Sequence, residues 1–380
     1  MLIETKLRPL VLRTNLIKRT TLLRQLDEAI GGKLTLVSAP AGFGKSTLLG
    51  QWLETLRERG AVTGWLSLDA QDNDISRFLE YLVAAINRAD PTVASDIPAL
   101  LQSSPVLPID SILTALVNDL SAKTQQLFLV LDDCHHLTSP EIVRFLEALL
   151  TYAPPAFHLI LATRGQVPLK VANMRVGGQM LRLDDTHLRF SLEETESFLN
   201  GARGLQLDPV DVIFLQHRTE GWIAGLQLAS LSLDKRQGRD EFIERFSGTD
   251  RDIADFLIHD VIDRLPPDII DFLLKTSILG RFSAPLADAV TETGNALWLL
   301  DEIEAANLFL IQLDRERTWF RYHHLFSELL QSLLQKQHPE SVPALHLRAA
   351  VWLSQNGLTM DAVHHALAAG NNDLAATYVE

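Results

Sequence analysis

Leu34-Thr35-Leu36-Val37-Ser38-Ala39-Pro40-Ala41-Gly42-Phe43-Gly44-Lys45-Ser46-Thr47 is the stretch on which the rest of the chain is organised. A short apolar strand stops at a turn of small residues, and a helix-forming run begins at Lys45-Ser46 and extends to Arg59. This is the context of a Walker A loop. Glycines at 42 and 44 can take positive φ and let the backbone approach an anion. The free N–H groups and the dipole of a helix start favour a phosphate there. In such a loop Lys45 reaches the β- and γ-phosphates and the Ser46 hydroxyl holds Mg²⁺. One position departs from the strict G-x-x-x-x-G-K-[ST] pattern: Ala39 stands where the first glycine would be.

The chain has 380 residues, 47% of them hydrophobic, which places it among globular proteins of about two to three domains. A formal net charge of −14 argues against a broad nucleic-acid footprint on this portion. One cysteine, Cys134, excludes an intrachain disulfide and suits a reducing compartment. Met1 to Lys6 lacks a signal pattern, and no apolar run reaches the length of a membrane span, so the expected location is cytoplasmic, with no membrane partner.

Around the phosphate loop the pattern alternates between strand and helix. Leu22, Leu23, Leu26 and Ile30 mark an amphipathic helix closed by Gly31-Gly32. Ala61 to Leu68 reads as a second strand, followed by Asp69, Asp72, Asn73 and Asp74, which suit the N-cap of a helix from Ser76 to Asn87. Asp90 to Pro108 reads as a loop, and Ile112 to Leu120 as a helix. Leu127-Phe128-Leu129-Val130-Leu131 is a strand buried on both faces. It ends in Asp132-Asp133, a Walker B pattern in which Asp132 serves Mg²⁺ and Asp133 orients or deprotonates the attacking water. His135 and His136 lack metal-ligand spacing and read as polar loop residues, with one packing under the strand as an option. Phe157 to Ala162 gives a fourth strand ending in Thr163-Arg164; Arg164 is either a γ-phosphate sensor or an exposed arginine paired with an acid. Leu181 to Leu183 completes a mostly parallel, three-layer α/β sheet.

From Ser191 helices dominate, opening with the capping box Ser191/Glu194. A boundary or hinge is expected between Asp234 and Asp252, where Gly238 and Gly248 interrupt a charged stretch. Short helices from Ile253 to Ala305, then two strands over Leu308–Ile311 and Thr318–Tyr322, suggest a winged helix. Ser341 to Glu380 reads as a helical hairpin plus a third helix, the pattern of a solenoid cut after its first repeat, so the polypeptide is expected to continue. The domain reading is 1–190 nucleotide-binding, 191–252 small helical, 253–338 winged-helix, and 339–380 the start of TPR-like helical repeats.

Taken together, Ser38–Thr47, Leu131-Asp132-Asp133-Cys134-His135, Thr163-Arg164, Glu220-Gly221-Trp222-Ile223-Ala224-Gly225-Leu226-Gln227 and Arg321-Tyr322-His323-His324-Leu325-Phe326 resemble the MalT-type STAND ATPases, ATP-dependent LuxR-type transcriptional regulators. The resemblance covers essentially the whole chain and includes Ala39, since this branch commonly lacks the first glycine. It implies ATP or ADP with Mg²⁺ in a site built from Ala41, Gly42, Phe43, Gly44, Lys45, Ser46 and Thr47. It also implies Ile17 and Arg19 bordering the adenine, and His323 on the β-phosphate of ADP in a resting state. Where relatives often carry proline in the Gly-Trp-x-Ala-Gly segment, this chain has Ile223. Helical repeats would bind an inducer, activated protomers would self-associate, and a C-terminal helix-turn-helix outside this sequence would bind DNA.

The expected activity is a weak ATPase used as a switch, with Asp133, Lys45 and Arg164 as the reacting set. Two other classes remain open: a scaffold that keeps nucleotide as a structural ligand, and a mechanical AAA+-type ATPase with fast turnover.

Overall fold

In the computed structural model, which describes residues 2–9, 16–103, 109–234, 243 and 245–379, the quoted apolar stretch is strand β1 (Leu34–Ser38). It joins β2 (Val62–Ser67), β3 (Leu127–Asp132), β4 (Phe157–Thr163) and β5 (Met180–Leu183) in a parallel sheet of order β2-β3-β4-β1-β5. Parallel neighbours need crossovers, which cover the sheet with helices and bury its strands. Every residue of β3 and β4 is accordingly buried. The pairing sets Ser38 opposite Thr163 and Ser67 opposite Asp132, so the C-terminal ends of β1, β4 and β3 emerge along one edge. In open α/β sheets that edge is where ligands bind.

The chain divides into two compact units, Met1–Arg189 and Phe190–Glu380. In the first, the helix Lys45–Glu58 buries Leu48, Leu49, Trp52, Leu53 and Leu56. Trp52 packs edge-on against Phe128, with ring centroids 5.7 Å apart, and donates its indole N–H to Asp27 at 2.9 Å. His158, inside β4, bonds Thr35 Oγ1 at 2.9 Å and the Gly32 carbonyl at 2.8 Å; burial lowers its pKa. The acids after β2 act as caps: Asp69 closes a capping box over Ala70–Asn73, and Asp74 accepts from the Arg77 N–H at the start of the helix Ile75–Ala89. Asp72, fully buried, is held by Lys6 and Arg77. Asp90 to Pro108 is not all loop. Val93, Ala94 and Ile97 are buried, and their burial anchors a helix over Ile97–Ser103, while 104–108 lie outside the described residues.

In the second unit the helices Pro267–Thr276, Ala284–Thr291 and Ala296–Ala305 precede an antiparallel pair, β6 (Leu310–Gln312) and β7 (Phe320–Tyr322). The first wing strand begins two residues later than its sequence suggests. Leu308 and Phe309 are buried, and Asn307 and Phe309 take positive φ (50° and 56°), which turns the chain before pairing starts. Helices Val342–Gln355, Thr359–Ala368 and Asn372–Val379 follow, packed through the small residues Ala350, Ala366 and Ala375.

Gly238 lies outside the described residues, but Gly248 does not act as a swivel. A Cβ there would fall on the Leu325 carbonyl oxygen, and the Gly248 N–H donates to Glu328 at 2.8 Å. Backbone meets backbone, and neither side can yield. Gly248→Ala should therefore destabilise the protein by roughly 2–4 kcal/mol in urea unfolding; a midpoint equal to wild type would show that the approach is not close.

Candidate functional site

Two glycines bend the loop between β1 and its helix: φ is 79° at Gly42 and 76° at Gly44. Ala39 has no positive φ and is fully buried, its N–H still bonded to Thr163 at 3.2 Å. The turn begins after it, which is why alanine serves where the strict motif has glycine. Phe43 is buried, so among the loop residues its contribution to a ligand is limited to backbone. The helix starts at Lys45, with the first turn of N–H groups facing outward from the helix end as every α-helix leaves them. The Lys45 ammonium folds back on the loop, donating to the Ala39 carbonyl at 2.7 Å and the Pro40 carbonyl at 2.9 Å. Burial, reinforced by the positive charge of Arg164, lowers its pKa to about 8, against the opposing pull of Asp132 and Asp133.

Since β4 lies between β1 and β3, the residue that follows it is delivered between the loop and the end of β3. Asp132 is buried, and burial raises its pKa, while a hydrogen bond from the Ser46 hydroxyl holds it down. A hydroxyl beside a carboxylate suits Mg²⁺, which takes one or two protein oxygens and fills its shell with water and phosphate. Asp133 turns the chain off β3 in the left-handed conformation, φ 57°, with its N–H on Asp132 Oδ1 at 3.0 Å. Its own Oδ1 lies 3.8 Å from Arg164 Nε and 3.7 Å from His135 Nδ1. The structure thus brings Lys45, Ser46, Asp132, Asp133 and Arg164 together. It also adds His135, which the sequence offered as a polar loop residue or as one packing under the strand: its ring lies against that of His136 at 4.1 Å, and burial lowers its pKa to about 4. The Cys134 thiol, buried and donating to the Leu131 carbonyl at 3.1 Å, has its pKa pushed well up and is not a nucleophile.

Ile17 and Arg19 are tied to different elements of the first unit. The Ile17 carbonyl accepts from Gln51 at 3.0 Å, a link no motif announces. The Arg19 guanidinium is buried on the carbonyls of Leu188 (2.8 Å), Arg189 (3.1 Å) and His187 (3.3 Å). As placed here, that side chain fastens 187–189.

His323 lies in the second unit. It is buried, with Nε2 on the Thr219 carbonyl at 2.8 Å and its ring 6.0 Å from Trp222 and 5.8 Å from Phe309. The small residues after Trp222 serve that indole: a Cβ on Gly225 would stand 2.7 Å from Trp222 Cε3.

Residues 9–161 match the AAA ATPase domain, and residues 258–342 match the MalT winged helix domain. The chain carries an ATPase domain and a MalT-type winged helix. It is 33% identical over 374 residues to the HTH-type transcriptional regulator MalT of Cronobacter sakazakii, covering 98% of this chain and 41% of that one. It is 35% identical over 376 residues to the serine/threonine-protein kinase PknK of Mycobacterium tuberculosis, covering 99% of this chain and 34% of that one. The chain therefore spans between a third and two-fifths of these curated relatives. With both domains in that order, it is similar over nearly its whole length to the MalT-type regulators. The Walker-type ATPase PABY2304 of Pyrococcus abyssi shares the fold at 15% identity, with a TM-score of 0.57 over 85% of this chain and 98% of that one. Among the described residues no helix is long and apolar enough to cross a membrane.

Within the MalT-type winged helix, Arg321 ties to the segment before it. Glu220, left-handed at φ 50°, takes Arg321 on both oxygens, at 2.8 and 2.9 Å, and the His324 N–H at 3.1 Å. Against the desolvation that opposes them, these partners hold its carboxyl below the usual glutamate range. A carboxyl depressed in the folded state contributes stability above its unfolded pKa of about 4.3 and loses it as pH falls below. Glu220→Gln should cost about 1.5–3 kcal/mol at pH 7, and the gap to wild type should narrow between pH 5 and pH 3 in urea titrations. A gap that holds constant to pH 3 would remove the charge from the account.

Proposed function

We propose that this chain is the nucleotide-dependent switch of a larger regulator. Gly42 to Thr47 would cradle ATP or ADP through backbone N–H groups, with Lys45 leaving its loop carbonyls for the phosphates. Ser46 and Asp132 would hold Mg²⁺, which supplies charge neutralisation to the phosphates when bound. Asp133 would orient or deprotonate the attacking water, and Arg164 would register the γ-phosphate. Ile17 would border the adenine, and Arg19 would hold the segment next to it. The observation that carries this reading is the contact of the Ser46 hydroxyl with the Asp132 carboxylate, beside Lys45, at the edge where three strands end.

In this reading ADP holds a resting state that His323 responds to, and ATP with an inducer releases it for self-association. Bound ligand at a hundredfold its dissociation constant contributes about 2.7 kcal/mol. Reversing a 1:99 equilibrium takes about 5.5 kcal/mol of differential binding, so nucleotide exchange would act together with an inducer acting through the helical repeats. Hydrolysis would be slow, roughly 10⁻⁴ to 10⁻² per second without an arginine supplied by a partner, and would reset the switch. The finer division into 191–252, 253–338 and 339–380 belongs to this proposal. The two relatives are named for different outputs, a serine/threonine-protein kinase and an HTH-type transcriptional regulator, yet each matches nearly all of this chain. A shared control element with a separate output fits that pattern; here the output we favour is transcriptional, through a helix-turn-helix.

Lys45→Ala should abolish ADP and ATP binding in isothermal titration, and unchanged affinity would overturn the phosphate-loop assignment. Asp133→Asn should keep ATP affinity and slow single-turnover hydrolysis by about 100-fold or more. Equal turnover would remove Asp133 from the reaction. Sizing in ADP against ATP, read with the steady-state rate, separates the switch from an inert scaffold and from a fast ring motor.

A further inference from the structure

Asp133 Oδ1 is approached by two nitrogens that stop just short of bonding it, Arg164 Nε at 3.8 Å and His135 Nδ1 at 3.7 Å. Both distances exceed a hydrogen bond, and a small turn of the carboxylate closes one at the expense of the other. His135 Nδ1 is buried and has no hydrogen-bond partner among the described residues. The ring carrying it is rigidly mounted. The turn Cys134–His136 is anchored by the Cys134 thiol on the Leu131 carbonyl and by the His136 N–H on the Asp133 carbonyl at 3.2 Å, and His136 lies against the ring. Asp133 in its left-handed conformation allows little backbone adjustment, so its carboxylate answers to the groups around it, and these two nitrogens lie nearest Oδ1 among the contacts described, with the Lys45 charge acting from farther off.

We propose that His135 is the positioning residue for Asp133: its Nδ1–H bonds Oδ1 and keeps the carboxylate from collapsing onto Arg164. The two neighbours are not equivalent. An arginine that captures the carboxylate lowers its basicity and points it at a cation. A neutral imidazole directs it while leaving its charge for water. Burial keeps the imidazole neutral, its pKa lowered to about 4. Asp133 is then left for the nucleophile. His135 acts through Asp133 and does not itself touch nucleotide.

This inference rests on the hydrolysis reading above, and the experiment separates the two. Single-turnover hydrolysis of ATP and binding of ADP are measured for the full 380-residue chain as wild type, His135→Ala, His135→Asn, Asp133→Asn and the His135→Ala/Asp133→Asn double variant. His135→Ala should slow turnover roughly 10- to 100-fold at unchanged ADP affinity, the size of effect that a misdirected base produces. His135→Asn, whose amide nitrogen replaces Nδ1, should restore most of the rate and decides the matter if the alanine variant does not fold. In the Asp133→Asn background His135→Ala should add nothing. Wild-type turnover in His135→Ala, no rescue by asparagine, or an equal loss in both backgrounds would overturn the role of His135 while leaving Asp133 in place. Wild-type turnover in Asp133→Asn would overturn the hydrolysis reading itself, and this inference with it.

Discussion

A lysine ammonium shut into the end of a buried sheet is the constraint from which the first unit follows. Lys45 is almost wholly removed from water, yet among the described residues its hydrogen bonds go to loop carbonyls, and an arginine nearby opposes its charge. Burying a cation in this way costs free energy unless an anion answers it. The two acids at the end of β3 answer in part, and a phosphate would answer fully. The positive-φ glycines, the helix start and the parallel order of β3, β4 and β1 are the means by which the backbone assembles this charge pattern at one edge. Buried and unevenly balanced charges of this kind are characteristic of sites poised for a ligand.

The second unit places its strongest electrostatics elsewhere. Glu220 and Arg321 pair bidentately, and the same two segments bring His323 onto the Thr219 carbonyl and Trp222 against Phe309. The Glu-Gly-Trp and Arg-Tyr-His-His segments, about a hundred residues apart, are therefore one interface. A motif in this unit marks a packing arrangement as much as a binding one, and a switch that rearranges it would have to break a paired, half-buried arginine and glutamate.

Much of this was legible in the sequence. The strand–loop–helix pattern was readable from Leu34 to Arg59, and the apolar run ending at Asp132-Asp133 was readable as a strand, because period, length and terminal acids all agree there. The acids at 69 to 74 were readable as caps for the same reason. What escaped depends on tertiary placement. His135 follows the acids in sequence as any loop residue would, and only the left-handed turn at Asp133 brings its ring back to the carboxylate. Gly248 looks like a hinge until the carbonyl of Leu325 is seen against it. The helix at Ile97–Ser103 hides in a proline-rich stretch because its stability comes from burial of Val93, Ala94 and Ile97, not from local propensity.

The most direct measurement is a crystal structure of the chain with Mg²⁺ and a non-hydrolysable ATP analogue. The account predicts the β-phosphate in hydrogen-bond reach of the backbone N–H groups from Gly42 to Ser46, the Lys45 ammonium moved from the Ala39 carbonyl to a phosphate oxygen, and the metal on the Ser46 side. A nucleotide seated away from that loop, with Lys45 still on its two carbonyls, would contradict it.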